Sequence, residues 1–257
     1  MTPVFIQQVP CLEDNYAFLI HEPRGAVTAL VDTPVVEPVE RALASTRWRL
    51  THIFNTHHHR DHAGNNLAFK EKWKCTIVGP RADRDRIPGI DIALGDGDEF
   101  RLGNAPVRVL DVPGHTKGHI AYYLPDDGVA FVGDTLFALG CGRLFEGTPA
   151  QMWSSLAKIS ALPDRTRLFC AHEYTQANAR FALTVDPDNP ALRERAAKVD
   201  ELRAAGAPTV PTTVALEKAT NPFLRADTRG VRAALGMPSA PAVDVFAEVR
   251  QRKDRFI

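Results

Sequence analysis

The chain has 257 residues, 44% of them hydrophobic and 24% charged, a composition that excludes disordered, collagen-like and coiled-coil classes and leaves a folded globular protein. Basic and acidic side chains balance at 31 each. No bulk field therefore exists to draw in nucleic acid or an anionic membrane, and any anion recognition has to be local.

The N-terminus, MTPVFIQQVPCLEDNYAFLI, has no basic segment, and Glu13 and Asp14 interrupt it, unlike a secretory or transit peptide. No stretch reaches the roughly 18 apolar residues of a membrane span. Up to about residue 172 the chain alternates turn signals with β-rich runs: NYAFLI, AVTALVDT, THIFNT, CTIVGP, VRVLDVP, HIAYYLP, VAFVGDT and RLFCAH. Helical patterns interleave at residues 38–47, 63–73 and 149–162, the last entered through Thr148 as cap and Pro149 at the first helical position. Many strands with few helices predict helix-covered sheets, an α/β (α+β) class. From Glu173 onward the strand runs stop. Leu192, Ala196, Val199 and Leu202 mark one face of a helix ending near Gly206, and a further helix is expected over residues 243–256. Residues 208–211 and 221–223 read as connectors. Cys11, Cys75, Cys141 and Cys170 form no Cys-x-x-Cys pair, which suits buried, reduced thiols in a cytoplasm.

The chemistry concentrates in Thr56-His57-His58-His59-Arg60-Asp61-His62, directly after the apolar run HIFN. Alternation along an extended chain sends His57 and His59 one way and His58 the other, while after the turn Asp61 and His62 face back toward the same space. Imidazoles with a carboxylate suit zinc, and also iron or manganese. Later strand ends add His115, after VRVLDV, Asp134, after VAFVG, and His172, after RLFCA. A carboxylate closing an apolar strand is costly to bury without a cation.

His57, His59, Asp61 and His62 fill a His-x-His-x-Asp-His motif, and with it the chain resembles the metallo-β-lactamase superfamily over residues 1–172. The resemblance implies a four-layer αββα sandwich with two metal ions. One would be held by His57, His59 and His115 and the other by Asp61, His62 and His172, with Asp134 bridging; Asp61 and Asp134 would be the catalytic carboxylates. His58 and His119 are not carried over as ligands, and His21 and His52 read as structural. The segments GCGRLFEGT (140–148), AHEYT (171–175), NPFLR (221–225) and RQRKDRF (250–256) extend the resemblance to the glyoxalase II family. That family implies a C-terminal helical glutathione-binding domain over residues 173–257, and hydrolysis of S-(2-hydroxyacyl)glutathione, such as S-D-lactoylglutathione, to glutathione and D-lactate. Arg143, Tyr174, Arg250 and Lys253 would hold the glutathione moiety. Arg250 and Lys253 lie one helical turn apart, so both can reach one carboxylate. Some relatives carry Tyr at position 145, where Phe145 has no hydroxyl to donate.

The resemblance leads to two divalent ions, zinc first with iron or manganese as alternatives, in a cytoplasmic monomer acting on a small-molecule thioester with no nucleic-acid or membrane partner. A glutathione persulfide dioxygenase on the same scaffold is the alternative reading.

Overall fold

The computed structural model describes residues 2–256. The chain divides into two compact units: unit 1 takes residues up to Asp111 with Lys117–Gly133, and unit 2 takes Val112–Thr116 with the chain from Asp134 onward.

In unit 1, β1 (Phe5–Cys11), β2 (Asn15–Glu22) and β3 (Val27–Val31) form an antiparallel meander, followed by β4 (His52–Phe54), β5 (Thr76–Pro80) and β6 (Ile92–Leu94). The sheet order is β1-β2-β3-β4-β5-β6, with β3 to β6 parallel. Parallel neighbours need crossovers, which α1 (Val36–Thr46), α2 (Arg60–Ala63), α3 (Asn66–Trp73) and a short 3-10 turn (Arg81–Arg86) supply. Val39 and Leu43 of α1 and Phe69 of α3 close one face of the sheet over Leu19, Leu30, Ile53 and Ile77. The helix expected over residues 63–73 is broken before Asn66, because the Asn65 amide donates to the carbonyls of Thr33 and Pro34 at 2.9 and 3.0 Å.

On the other face lies a second meander, β7 (Glu99–Leu102), β8 (Ala105–Asp111), β9 (Ile120–Leu124) and β10 (Val129–Gly133). Aromatic side chains fill the space between: Phe54 stacks on Tyr122 at 4.8 Å and Phe18 meets Phe131 at 5.5 Å. The wholly buried Tyr122 hydroxyl donates to the Asn55 carbonyl at 2.8 Å, so its polar end is satisfied inside the core.

In unit 2, β11 (Leu136–Phe137) and β12 (Gly140–Cys141) form a tight hairpin. Next comes α4 (Pro149–Ser160), opened by a reciprocal capping box between Thr148 and Gln151. β13 (Arg167–Cys170) pairs antiparallel with β14 (Thr212–Thr213), a short strand in the region where strand runs were expected to have stopped; two residues carry no periodicity, and only the partner makes them a strand. The helical segment comprises α5 (Thr175–Val185), α6 (Pro190–Ala204), α7 (Val214–Thr220), α8 (Arg229–Ala234) and α9 (Ala242–Arg255). Leu192, Ala196 and Val199 are the buried face of α6, and Gly206, at φ +69°, follows its end. Among the described residues no helix is long and apolar enough to cross a membrane. Cys11, Cys75, Cys141 and Cys170 are free and buried.

Candidate metal centre

Unit 1 presents the His-x-His-x-Asp-His segment where β4 ends. The extended stretch after Asn55 turns into α2 at Arg60, so Asp61 and His62 follow His57 and His59 around one corner. His57 Nε2 and His59 Nδ1 stand 3.0 Å apart. Two ring nitrogens this close share a proton or direct their lone pairs at one cation. His62 Nε2 lies 3.4 Å from Asp61 Oδ2, which also accepts from the Asn15 amide at 3.1 Å. His58 points elsewhere: its Nδ1 meets the buried Asp83 carboxylate at 2.9 Å, and Asp83 also pairs with Arg86. His119 stacks on His57 at 4.7 Å. His21 bonds Thr28 and stacks on Trp48, and His52 bonds the Thr51 hydroxyl.

Behind the histidines stands Asp32, a buried carboxylate that the sequence reading passed over. It accepts from the Thr56 N–H at 2.8 Å and the Thr56 hydroxyl at 2.9 Å, and its Oδ2 lies 2.8 Å from His62 Nδ1. A carboxylate that accepts from Nδ1–H fixes the ring proton on that nitrogen and keeps the lone pair on Nε2, the usual arrangement behind metal-bound imidazoles. The available signal was the Val-Asp-Thr ending of β3, the same strand-end Asp-Thr that drew attention to Asp134.

Unit 2 carries a donor set of its own. Asp134 follows Gly133 and is buried; one carboxylate oxygen lies 3.5 Å from His115 Nε2 and the other 3.5 Å from His172 Nε2. One carboxylate thus addresses two imidazoles with different oxygens, the geometry a bridging ligand needs. The Arg143 carbonyl sits 2.9 Å from His115 Nδ1, again leaving Nε2 as the donor. Imidazole and carboxylate donors of this kind fit zinc, iron or manganese.

The remaining sequence candidates lie in unit 2. Tyr174 stacks on the His172 ring, 4.8 Å away and 4° from parallel, and Phe145, 63% exposed, sets its ring against His115 at 5.2 Å. Arg250 is buried: it donates to the Cys141 carbonyl at 2.8 Å, pairs with Asp254 at 2.8 Å and lies over the Phe223 ring. Lys253 is half-buried against the rings of Phe181 and Phe256. Burial first, and then the neighbouring Arg250 and Arg143 charges, hold its ammonium below the usual lysine range. The Asp254 carboxylate, which pairs with Arg250, opposes them.

Residues 13–172 match the family model described as metallo-beta-lactamase superfamily, and residues 173–256 match that described as hydroxyacylglutathione hydrolase C-terminus. The hydroxyacylglutathione hydrolase of Methylococcus capsulatus is 60% identical over 251 residues, covering 98% of both chains. That of Maricaulis maris is 56% identical over 256 residues and the full length of both. Among solved structures, ETHE1 from Myxococcus xanthus superposes with a TM-score of 0.66 at 27% identity, covering 98% of this chain and 100% of its own. A protein crystallised in a di-iron-bound form gives 0.59 at 25% identity, covering 86% and 100%.

Proposed function

The chain belongs to the metallo-β-lactamase superfamily and, within it, to the hydroxyacylglutathione hydrolases, and from that membership we propose that it hydrolyses S-(2-hydroxyacyl)glutathione thioesters, S-D-lactoylglutathione among them, to glutathione and a 2-hydroxy acid. The observation that carries this reading is the 60% identity to a hydroxyacylglutathione hydrolase over 98% of both chains. The αββα fold follows from membership, and with it a metal-dependent hydrolase.

His57, His59 and His115 would hold one divalent ion and Asp61, His62 and His172 the other, with Asp134 common to both. When bound, two such ions would bring the pKa of a water toward neutrality and polarise the thioester carbonyl. The chain's own groups do the rest. Asp32 and the Arg143 carbonyl keep the protons of His62 and His115 on Nδ1, and Asn15 aims Asp61. Arg143, Arg250 and Lys253 bind the glutathione carboxylates, with Tyr174 beside them. Glutathione leaves as a thiolate of ordinary thiol acidity, a good enough leaving group that no side chain has to protonate it as the bond breaks. We assign zinc to both positions, residues 1–172 to the chemistry and 173–257 to glutathione binding, in a cytoplasmic monomer; free cysteines and a complete donor set within one chain support this.

Steady-state kinetics on S-D-lactoylglutathione, with metal content measured on the same sample, test the proposal. Thioester loss with about two ions per chain is expected. Oxygen uptake with glutathione persulfide and no thioester loss would replace the hydrolase by the dioxygenase.

A further inference from the structure

The β11–β12 hairpin is held along its whole length by side chains from the helical segment. The Asn221 amide donates to the carbonyls of Phe137 and Gly140 at 3.2 and 3.0 Å. Asn178 donates to the Ala138 carbonyl at 3.1 Å, the Leu139 N–H donates to Glu217 at 2.9 Å, and Arg250 takes the Cys141 carbonyl. Glu217, wholly buried, is itself held by Arg195, by the Thr212 hydroxyl at 2.6 Å and by Asn221 at 2.8 Å. Five consecutive backbone positions, 137–141, therefore bond to four side chains that lie 40 to 109 residues further along. Leu139 sits at φ +60°, a conformation an L-leucine keeps only where its surroundings impose it.

What this hairpin carries gives the clamp a purpose. One end is continuous with Asp134, and the other leads through Gly142 to Arg143, whose carbonyl orients His115. The ends are in close contact: a Cβ on Gly142 would fall 2.0 Å from the Asp134 carbonyl oxygen and 3.1 Å from His115 Nδ1. The Thr135 hydroxyl ties the same segment to the Val112 carbonyl at 3.1 Å. A shift of the hairpin would move Asp134 relative to both His115 and His172.

We propose that Asn221, working with Glu217, is a positioning residue for the metal-binding carboxylate: it fixes the hairpin that sets where Asp134 meets its two histidines. The helical segment then shapes the metal centre as well as the glutathione site. This rests on Asp134 being a metal ligand, as proposed above.

The test is zinc(II) affinity of the full-length protein, measured by competition with a chromophoric chelator, in Asn221→Ala and Gly140→Ala. The second variant removes no helical side chain but drives a Cβ to within 2.4 Å of the Asn178 amide nitrogen, which holds the Ala138 carbonyl, and so disturbs the hairpin from its own backbone. Each should lose about tenfold in zinc affinity, at the lower edge of what outer-shell changes cost. Leu43→Ala, a cavity in the core of unit 1, should lower the melting temperature while leaving zinc affinity within twofold. If Asn221→Ala does not fold, Gly140→Ala decides alone. Zinc affinity no lower in the hairpin variants than in Leu43→Ala, while Asp134→Ala abolishes binding, overturns the inference and spares the ligand assignment. Full zinc binding by Asp134→Ala overturns both.

Discussion

Asp32→Asn separates a tautomer effect from a packing effect, because it changes neither the volume nor the shape of a buried side chain. The remaining amide oxygen can still accept the Thr56 N–H, a bond now 2.8 Å long. The new NH2 then faces His62 Nδ1, 2.8 Å away, and can only donate. His62 must accept on Nδ1, so its proton moves to Nε2 and the lone pair meant for a cation is lost. Recovering that lone pair requires breaking a hydrogen bond or stranding a buried donor, about 1.5–3 kcal/mol, or roughly ten- to over a hundredfold in metal affinity at 1.4 kcal/mol per factor of ten. The metal-free protein needs no such rearrangement, since His62 simply changes tautomer. Its stability should fall by only about 1–2 kcal/mol, because the Thr56 hydroxyl loses its charge-assisted bond to the same oxygen and must turn to accept from the new NH2. Equilibrium dialysis against buffered zinc with metal analysis, beside denaturant melts of the metal-free forms, measures the two effects separately. Parental zinc affinity in Asp32→Asn, or a loss no larger than the drop in metal-free stability, would refute the tautomer argument.

His58→Ala should keep its metal content and lose about 1.5–3 kcal/mol of stability, because its Nδ1 serves the buried Asp83 and not the centre; metal loss would return His58 to the ligand set. Lys253→Met should raise KM for the glutathione thioester by about tenfold or more with kcat and metal content unchanged, and the effect should vanish on a thioester lacking the glycine carboxylate. Arg250→Ala should in addition lower the melting temperature, since that guanidinium is buried and tied to the Cys141 carbonyl. Burial pushes the thiols of Cys11, Cys75 and Cys141 up to about 11 and that of Cys170 to about 12. At pH 8 an ordinary thiol is about one quarter thiolate. The native protein should therefore resist iodoacetamide at that pH until denatured, as intact-mass measurement would report.

The unequal legibility of the site has a physical cause. The segment 57–62 announces itself because strand alternation and the following turn bring three of its four histidines, with Asp61, toward one space while sending His58 the other way. Helix α4 was equally open to reading, since Thr148, Pro149 and Gln151 form a terminus with local rules. Asp32 and Asp134 each end an apolar strand in Asp-Thr, and nothing local separates a carboxylate that orients an imidazole from one that faces two of them. The distinction lies in what approaches from other elements: Thr56 and His62 on one, His115 and His172 on the other. Asn178, Glu217 and Asn221 were hidden for the same reason. Their partners are backbone atoms of residues 137–140, which no side-chain pattern encodes. The break between α2 and α3 likewise depends on Asn65 reaching the carbonyls of Thr33 and Pro34.

The burial of all four cysteines has a meaning particular to a catalyst that works on thioesters. Such a substrate is an acyl donor to any thiolate it meets, and the product it releases is itself a thiol able to enter mixed disulfides. An accessible cysteine of ordinary acidity would be acylated by substrate or capped by product, and the protein would modify itself in the course of turnover. Cys141 lies two positions from Arg143, a residue proposed to hold the glutathione moiety, yet it is fully enclosed, with its sulfur 3.7 Å from the Arg250 guanidinium. Enclosure outweighs that cation, leaving the thiol protonated where an exposed neighbour of arginine would be activated. The same packing that completes the core thus keeps the chain's thiols away from its own reactant and product.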